Sequence, residues 1–272
     1  MDSTSHFIRQ LLQCPAVLVS VYETRGSVPR EAGAWMAVFA TEVVGTIGGG
    51  RLELDAITHG RAVLRGERSA DVELYKLGPS LGQCCGGEVR LRYEVCSARD
   101  SVALLERLKV PLTPVALFGG GHVGRALVQV LATLPMQVLW VDSRDEIFPS
   151  DLPSNVVTEH SDPVQAAVAH LAPFSQVLVM SFSHAEDLDI VAACLSRQRA
   201  QGDLPFVGLI GSRTKWASFR QRLVARGFDG AELSHITCPI GLPGIKDKRP
   251  EVIAVSVAAQ LLQVGQGANT PN

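Results

Sequence analysis

Two adjacent cysteines, Cys84 and Cys85, lie in "LGPSLGQCCGGEVRLRYEVC" between a glycine–glutamine pair and a double glycine. A thiolate is a nucleophile and a soft metal ligand, so the pair could transfer sulfur or hold a metal. Neighbouring cysteines rarely bridge each other, because disulfide geometry fits poorly across one peptide bond. The adjacent spacing is also not the Cys-x-x-Cys of a zinc ribbon or a thioredoxin site. The flanking glycines permit positive φ and leave room for a ligand or another backbone beside the sulfurs. Two readings stay open: a tight turn that holds small apolar residues, or a thiol site in a glycine-rich loop.

Glycine patterns point to a second kind of chemistry, the binding of anions. Gly119, Gly121 and Gly124 form G-x-G-x-x-G after the apolar run "PVALF", and Asp142 follows 18 residues beyond Gly124. A strand, this turn, a helix and a later acid are the context of a dinucleotide site, with the acid on a ribose hydroxyl. Asp142 favours a free 2′-hydroxyl over a 2′-phosphate, although Arg144, two residues on, blurs that choice. The same glycines also serve helix–sheet packing alone. In "GTIGGGRLELDA", Gly48, Gly49 and Gly50 directly precede a helical pattern, where N–H groups and the helix dipole suit a phosphate. A plain β-to-α turn explains that pattern equally well. Arg25 and Arg30 belong to the polar loop "ETRGSVPREAG", in which exposed arginines are ordinarily just solvated.

The elements that must carry these residues fall into two groups. "AVLVSVY", "AWMAVFA" and "VVGTIGG" read as strands, and "RLELDAITHGRAVLRG" has apolar residues at helical spacing. "DVELYKL" and "EVRLRYEV" alternate apolar and polar residues, so they are half-exposed strands flanking the cysteine loop. Residues 1–98 therefore form an α+β domain, and a helix with the proline-bearing "VPLTP" makes 99–113 a connecting segment. From 114 to 272 strands alternate with helices: "PVALF", "QVLWVDSRDE", "SQVLVMSF", "AEDLDIVAACLSRQ", "PFVGLIGS", "RTKWASFRQRLVARG" and "RPEVIAVSVAAQLL". That alternation predicts an α/β fold, a Rossmann-like doubly wound parallel sheet covered on both faces.

Composition limits the partners. Of 272 residues, 46% are apolar and 19% charged, enough for real cores, and the net charge of −2 comes without any polybasic stretch. Nucleic acid and anionic membrane are therefore not expected partners. The start "MDSTSHFIRQLLQCP" lacks a basic n-region and an apolar h-region, and no apolar run is long enough for a span. A cytoplasmic protein is expected, with its six cysteines as reduced thiols. Cys14 and Cys194 read as small core residues.

Taken together, "ETRGSVPREAG", "GTIGGGRLELDA", "GPSLGQCCGG", "LFGGGHVGRAL", "VGLIGSRTKWASFRQRL" and "CPIGLPGIKDKRPEVIAVSVAAQLL" resemble the XdhC/CoxI family. These are accessory proteins that mature molybdenum hydroxylases such as xanthine dehydrogenase. The resemblance implies an XdhC/CoxI-type N-terminal domain before the Rossmann-like one. It also implies a maturation chaperone rather than a metabolic enzyme: it binds the molybdenum cofactor, protects it while a cysteine desulfurase supplies the sulfido ligand, and delivers it to an apo hydroxylase. On this resemblance Cys84 and Cys85 become candidate contacts for metal or sulfur, Gly48–Gly50 for the molybdopterin phosphate, and Arg30 for phosphate or pterin. His184 and Asp187, in "SFSHAEDLD", are further candidates. A homodimer is expected, and NAD or another nucleotide is the expected occupant of the Rossmann turn. The competing readings are an NAD-dependent oxidoreductase with an unusual N-terminal substrate domain, and a thiol redox sensor.

Overall fold

The computed structural model describes residues 3–78 and 86–268. They form two compact units, 1–109 and 110–272. The first is built on an antiparallel sheet of β1 (Ala16–Arg25), β2 (Trp35–Val38), β3 (Val43–Gly45), β4 (Val72–Lys76) and β5 (Glu88–Cys96), in spatial order β3-β2-β1-β5-β4. Alternation along β5 turns Val89, Leu91 and Tyr93 to one face. There they pack with Leu52, Ala56 and Val63 of α2 (Gly50–Leu64). On the other face α1 (Ser3–Leu11) and α3 (Ser101–Arg107) bury Phe7, Leu11 and Leu104 against Leu18, Ala37 and Cys96. Burying a side chain such as Phe7 or Leu11 contributes about 1.5–3 kcal/mol, so these short helices are held by packing. Cys14 is not a core residue: it follows α1, is exposed, and its thiol faces the Gln10 carbonyl at 3.7 Å.

The second unit is a six-stranded sheet of β6 (Thr113–Phe118), β7 (Met136–Asp142), β8 (Val156–His160), β9 (Gln176–Val179), β10 (Phe206–Leu209) and β11 (Ile236–Thr237). All neighbours pair parallel, in the order β11-β10-β9-β6-β7-β8. Renumbered within the unit this is 3-2-1-4-5-6, the doubly wound Rossmann order. Alternate residues of β6 serve both faces. Val115 and Leu117 pack with α4 (His122–Leu131) and α7 (Pro250–Ala268), whereas Ala116 and Phe118 pack with α5 (His184–Gln201) and α6 (Arg213–Ala225). Arg197, buried in α5, bonds Asp203 and the carbonyls of Val168 and Leu171. The winding reverses between β6 and β9. The turns after these two strands therefore flank a crevice at the carboxyl end of the sheet, where ligands of such folds bind. Among the described residues no helix is long and apolar enough to cross a membrane.

Candidate functional site

In the first unit, the loop after β1, the 46–50 turn and the residues at the base of the cysteine loop meet at one end of the sheet. A Cβ on Gly48 (φ +120°) would lie 2.7 Å from Pro29 Cβ and 3.2 Å from Arg30 Cγ, so the Arg30 stem rests on the 46–50 turn. A Cβ on Gly87 would lie 2.5 Å from the carbonyl oxygens of both Arg25 and Ser27. The cysteine loop is closed at its base by Leu77 N–H donating to Gly87 O at 2.8 Å. Cys84 and Cys85 themselves lie outside the described residues.

The turn before α2 already cradles a carboxylate. Glu53 Oε2 accepts from Thr46 Oγ1 at 2.5 Å, from Ile47 N at 3.0 Å and from Gly49 N at 3.1 Å. From the sequence, Gly48–Gly50 read either as a phosphate turn or as a plain β-to-α turn; in the structure two N–H groups of the 46–50 turn are taken by the chain's own Glu53. The first-turn N–H groups of α2 have no intrahelical partners and are what the turn has left for a second anion. An acid in the first helical turn was the available signal for Glu53.

In the second unit each glycine of the G-x-G-x-x-G motif has its own reason. A Cβ on Gly119 (φ +122°) would lie 2.0 Å from Met180 O, and one on Gly124 2.1 Å from Gly119 O. One on Gly121, which caps α4 without a side-chain hydrogen bond, would meet nothing within 4 Å. The first and third glycines thus allow the tight turn and close helix packing, and the second leaves the backbone open to a pyrophosphate. Trp140 Nε1 holds the turn by donating to Gly119 O at 3.0 Å. The phosphate end of a dinucleotide fits this frame.

Asp142, read from the sequence as the acid for a ribose hydroxyl, ends β7. Its side chain is 2% exposed. Oδ1 accepts from Arg144 N (2.9 Å) and Arg144 Nε (2.8 Å); Oδ2 accepts from Gly120 N (2.6 Å) and Arg144 Nη2 (2.8 Å). Burial pushes this carboxyl's pKa up, but the bonds from Arg144 and Gly120 outweigh it and hold it below the usual range. The Arg144 guanidinium lies over the exposed Phe182 ring, 5.0 Å from its centroid.

A second polar group lines the same sheet edge. Asp187 Oδ1 accepts from Ser181 N (2.9 Å) and Ser181 Oγ (2.8 Å), and Oδ2 from Lys215 Nζ (2.6 Å). Lys215 Nζ also donates to Ile210 O at 2.8 Å. The side chains of Asp187 and Lys215 are 2% and 12% exposed. Asp187 was legible as a candidate. Its partner Lys215, within "RTKWASFRQRL", was not, because the two are brought together only by the fold. His184 is the exposed first residue of α5, edge-on to Phe219 with centroids 6.3 Å apart. Burial pushes the thiols of Cys96 and Cys238 up to about 11 and that of Cys194 to about 12, so these three are not thiolates at neutral pH. Among the described residues no three His, Cys, Asp or Glu side chains gather as a metal site.

An antiparallel α+β unit followed by a complete Rossmann unit, each with a glycine-rich turn at the carboxyl end of a strand, defines a two-part protein. Residues 12–76 match the XdhC and CoxI family and residues 115–261 match the XdhC Rossmann domain; the chain belongs to this family. It is 27% identical over 259 residues to a protein of Escherichia coli (strain K12) described as uncharacterized protein YqeB, covering 94% of this chain and 44% of that one. The chain thus spans less than half the length of that curated relative. A crystal structure from Bacillus halodurans, described as a xanthine dehydrogenase, superposes with a TM-score of 0.80 at 19% identity, over 100% of this chain and 98% of that one. At that identity the likeness is one of fold.

Proposed function

We propose that this protein binds the molybdenum cofactor as cargo, shelters it during sulfuration and delivers it to an apo molybdenum hydroxylase of the xanthine dehydrogenase type. The observation that carries this reading is the family match, which falls on both units. The geometry of the first unit supports it. Arg30, the 46–50 turn and the base of the cysteine loop lie together, so one phosphorylated ligand can reach all three. In this reading the first turn of α2 and Arg30 take the molybdopterin phosphate. Cys84 or Cys85 offers a soft thiolate to molybdenum or to the sulfur being added. A cysteine desulfurase is the sulfur donor, a homodimer the working form, and the cytoplasm the compartment. A nucleotide-dependent oxidoreductase is the second reading, favoured by the complete Rossmann strand order and the open Gly121.

The cysteines test the first reading directly. Serine at both positions keeps the size of the side chains but removes the soft ligand, because a hydroxyl is far less acidic and less thiophilic. The expected outcome for Cys84→Ser/Cys85→Ser is a melting temperature within about 2 °C of wild type. Bound molybdenum and reconstitution of an apo hydroxylase should both fall severalfold. Wild-type loading and delivery by the double variant would reduce the loop to a turn.

A further inference from the structure

We propose that the Rossmann crevice reads a phosphorylated ribose through Arg144, and that Asp142 is the positioning residue that aims it, so that NADPH-type ligands bind in preference to NADH-type ones. This stands apart from the cargo reading and concerns only the second unit.

An ionised carboxylate offers about four acceptor positions, two on each oxygen. Arg144 N, Nε and Nη2 and Gly120 N supply four donors to Asp142, two on each oxygen. A ribose diol arriving at the end of β7 therefore finds a carboxylate that is buried and already saturated. It would have to displace a charge-assisted pair or a backbone bond to be recognised, and such bonds are among the strong ones.

Arg144 has donors to spare at the same place. A guanidinium carries five N–H groups, and Asp142 takes only two of them, one each from Nε and Nη2. The three that remain make no hydrogen bond among the described residues, and the side chain is 40% exposed. The bidentate grip of Asp142 and the Phe182 ring beneath fix the plane of the guanidinium. Its orientation is therefore set before a ligand arrives. Free N–H groups on a fixed plane suit a phosphate, which accepts two parallel bonds. Other charges border this edge besides the Asp187–Lys215 pair. Glu186, which accepts from Ser143 Oγ at 2.7 Å, works against a phosphate. Arg125, which bridges Gly120 O and Ile147 O, works for it.

The test is equilibrium binding of NADPH and NADH to the full chain at low salt, followed by intrinsic fluorescence or calorimetry. Wild type should bind NADPH at least about tenfold more tightly, the effect of one good charge-assisted contact. Arg144→Met removes the phosphate partner and also frees two lone pairs of Asp142. The preference should then invert, with NADH binding gained as NADPH binding is lost. Arg144→Lys keeps a charge but loses the fork, and the preference should shrink at least about threefold. Circular dichroism establishes that each variant is folded. The proposal is overturned if wild type favours NADH, binds the two equally or binds neither. It is equally overturned if folded Arg144→Met, or folded Arg144→Lys should the former not fold, keeps the wild-type ratio.

Discussion

Alanine at Gly119 or Gly124 is expected to cost the second unit at least about 3 kcal/mol, whereas alanine at Gly121 is expected to change its stability by less than about 0.5 kcal/mol. The three positions belong to one motif, so composition cannot separate them. Space does. A methyl on Gly119 or Gly124 would sit 2.0 or 2.1 Å from a carbonyl oxygen of the main chain. Backbone cannot swing aside as a flexible side chain can. Gly119 also has φ at +122°, a conformation that an L side chain rarely adopts. At Gly121 the methyl would meet nothing within 4 Å, and φ is −70°. The space it would fill is where a pyrophosphate approaches. Urea denaturation of the three variants reads the first part. Nucleotide titration of Gly121→Ala reads the second, with a loss of about tenfold expected for a hindered backbone contact to phosphate. Equal destabilisation by all three would mean that the turn is not built this way.

Removing one member of the Asp187–Lys215 pair should cost about 3–5 kcal/mol, because the survivor is left charged and nearly dry. For Asp187→Ala the loss reaches beyond the ammonium, since Ser181 N and Oγ lose their acceptor as well. For Lys215→Ala, Ile210 O loses a donor and Asp187 its counter-charge. The double variant Asp187→Leu/Lys215→Met should be more stable than the sum of the single losses predicts, since no lone buried charge remains. A double-mutant cycle measured by denaturation checks this. Additive losses would show that the two side chains do not depend on each other. The pair joins α5 to α6 and, through Ser181 and Ile210, the turns after β9 and β10, so its loss should also loosen the turn that carries Ser181 and Phe182.

Much of this architecture was legible because half-buried strands and amphipathic helices leave a period in the residues. "EVRLRYEV" alternates since one face of β5 meets α2, and "PVALF" is apolar throughout since both faces of β6 are covered. Other elements leave too little pattern to read. β11 is two residues long, β8 carries an exposed Val157 in a polar setting, and α1 buries only Phe7 and Leu11 among its large apolar residues. The site was legible as residue types but not as directions. "VDSR" names an acid and a base two residues apart, yet nothing in that spacing says that the carboxylate turns inward to Gly120. Likewise "GGGRLE" marks an anion-binding turn without saying that its own Glu53 fills part of it. Lone-pair saturation is a property of three dimensions.

The most direct measurement is mass spectrometry of the small molecules released from the protein after gentle purification from a molybdate-replete host, with metal content determined on the same sample. The account predicts a molybdenum-bearing pterin in substoichiometric to equal amount, lost in the Cys84→Ser/Cys85→Ser variant. A preparation that carries only a nicotinamide dinucleotide, with neither pterin nor molybdenum, would contradict it.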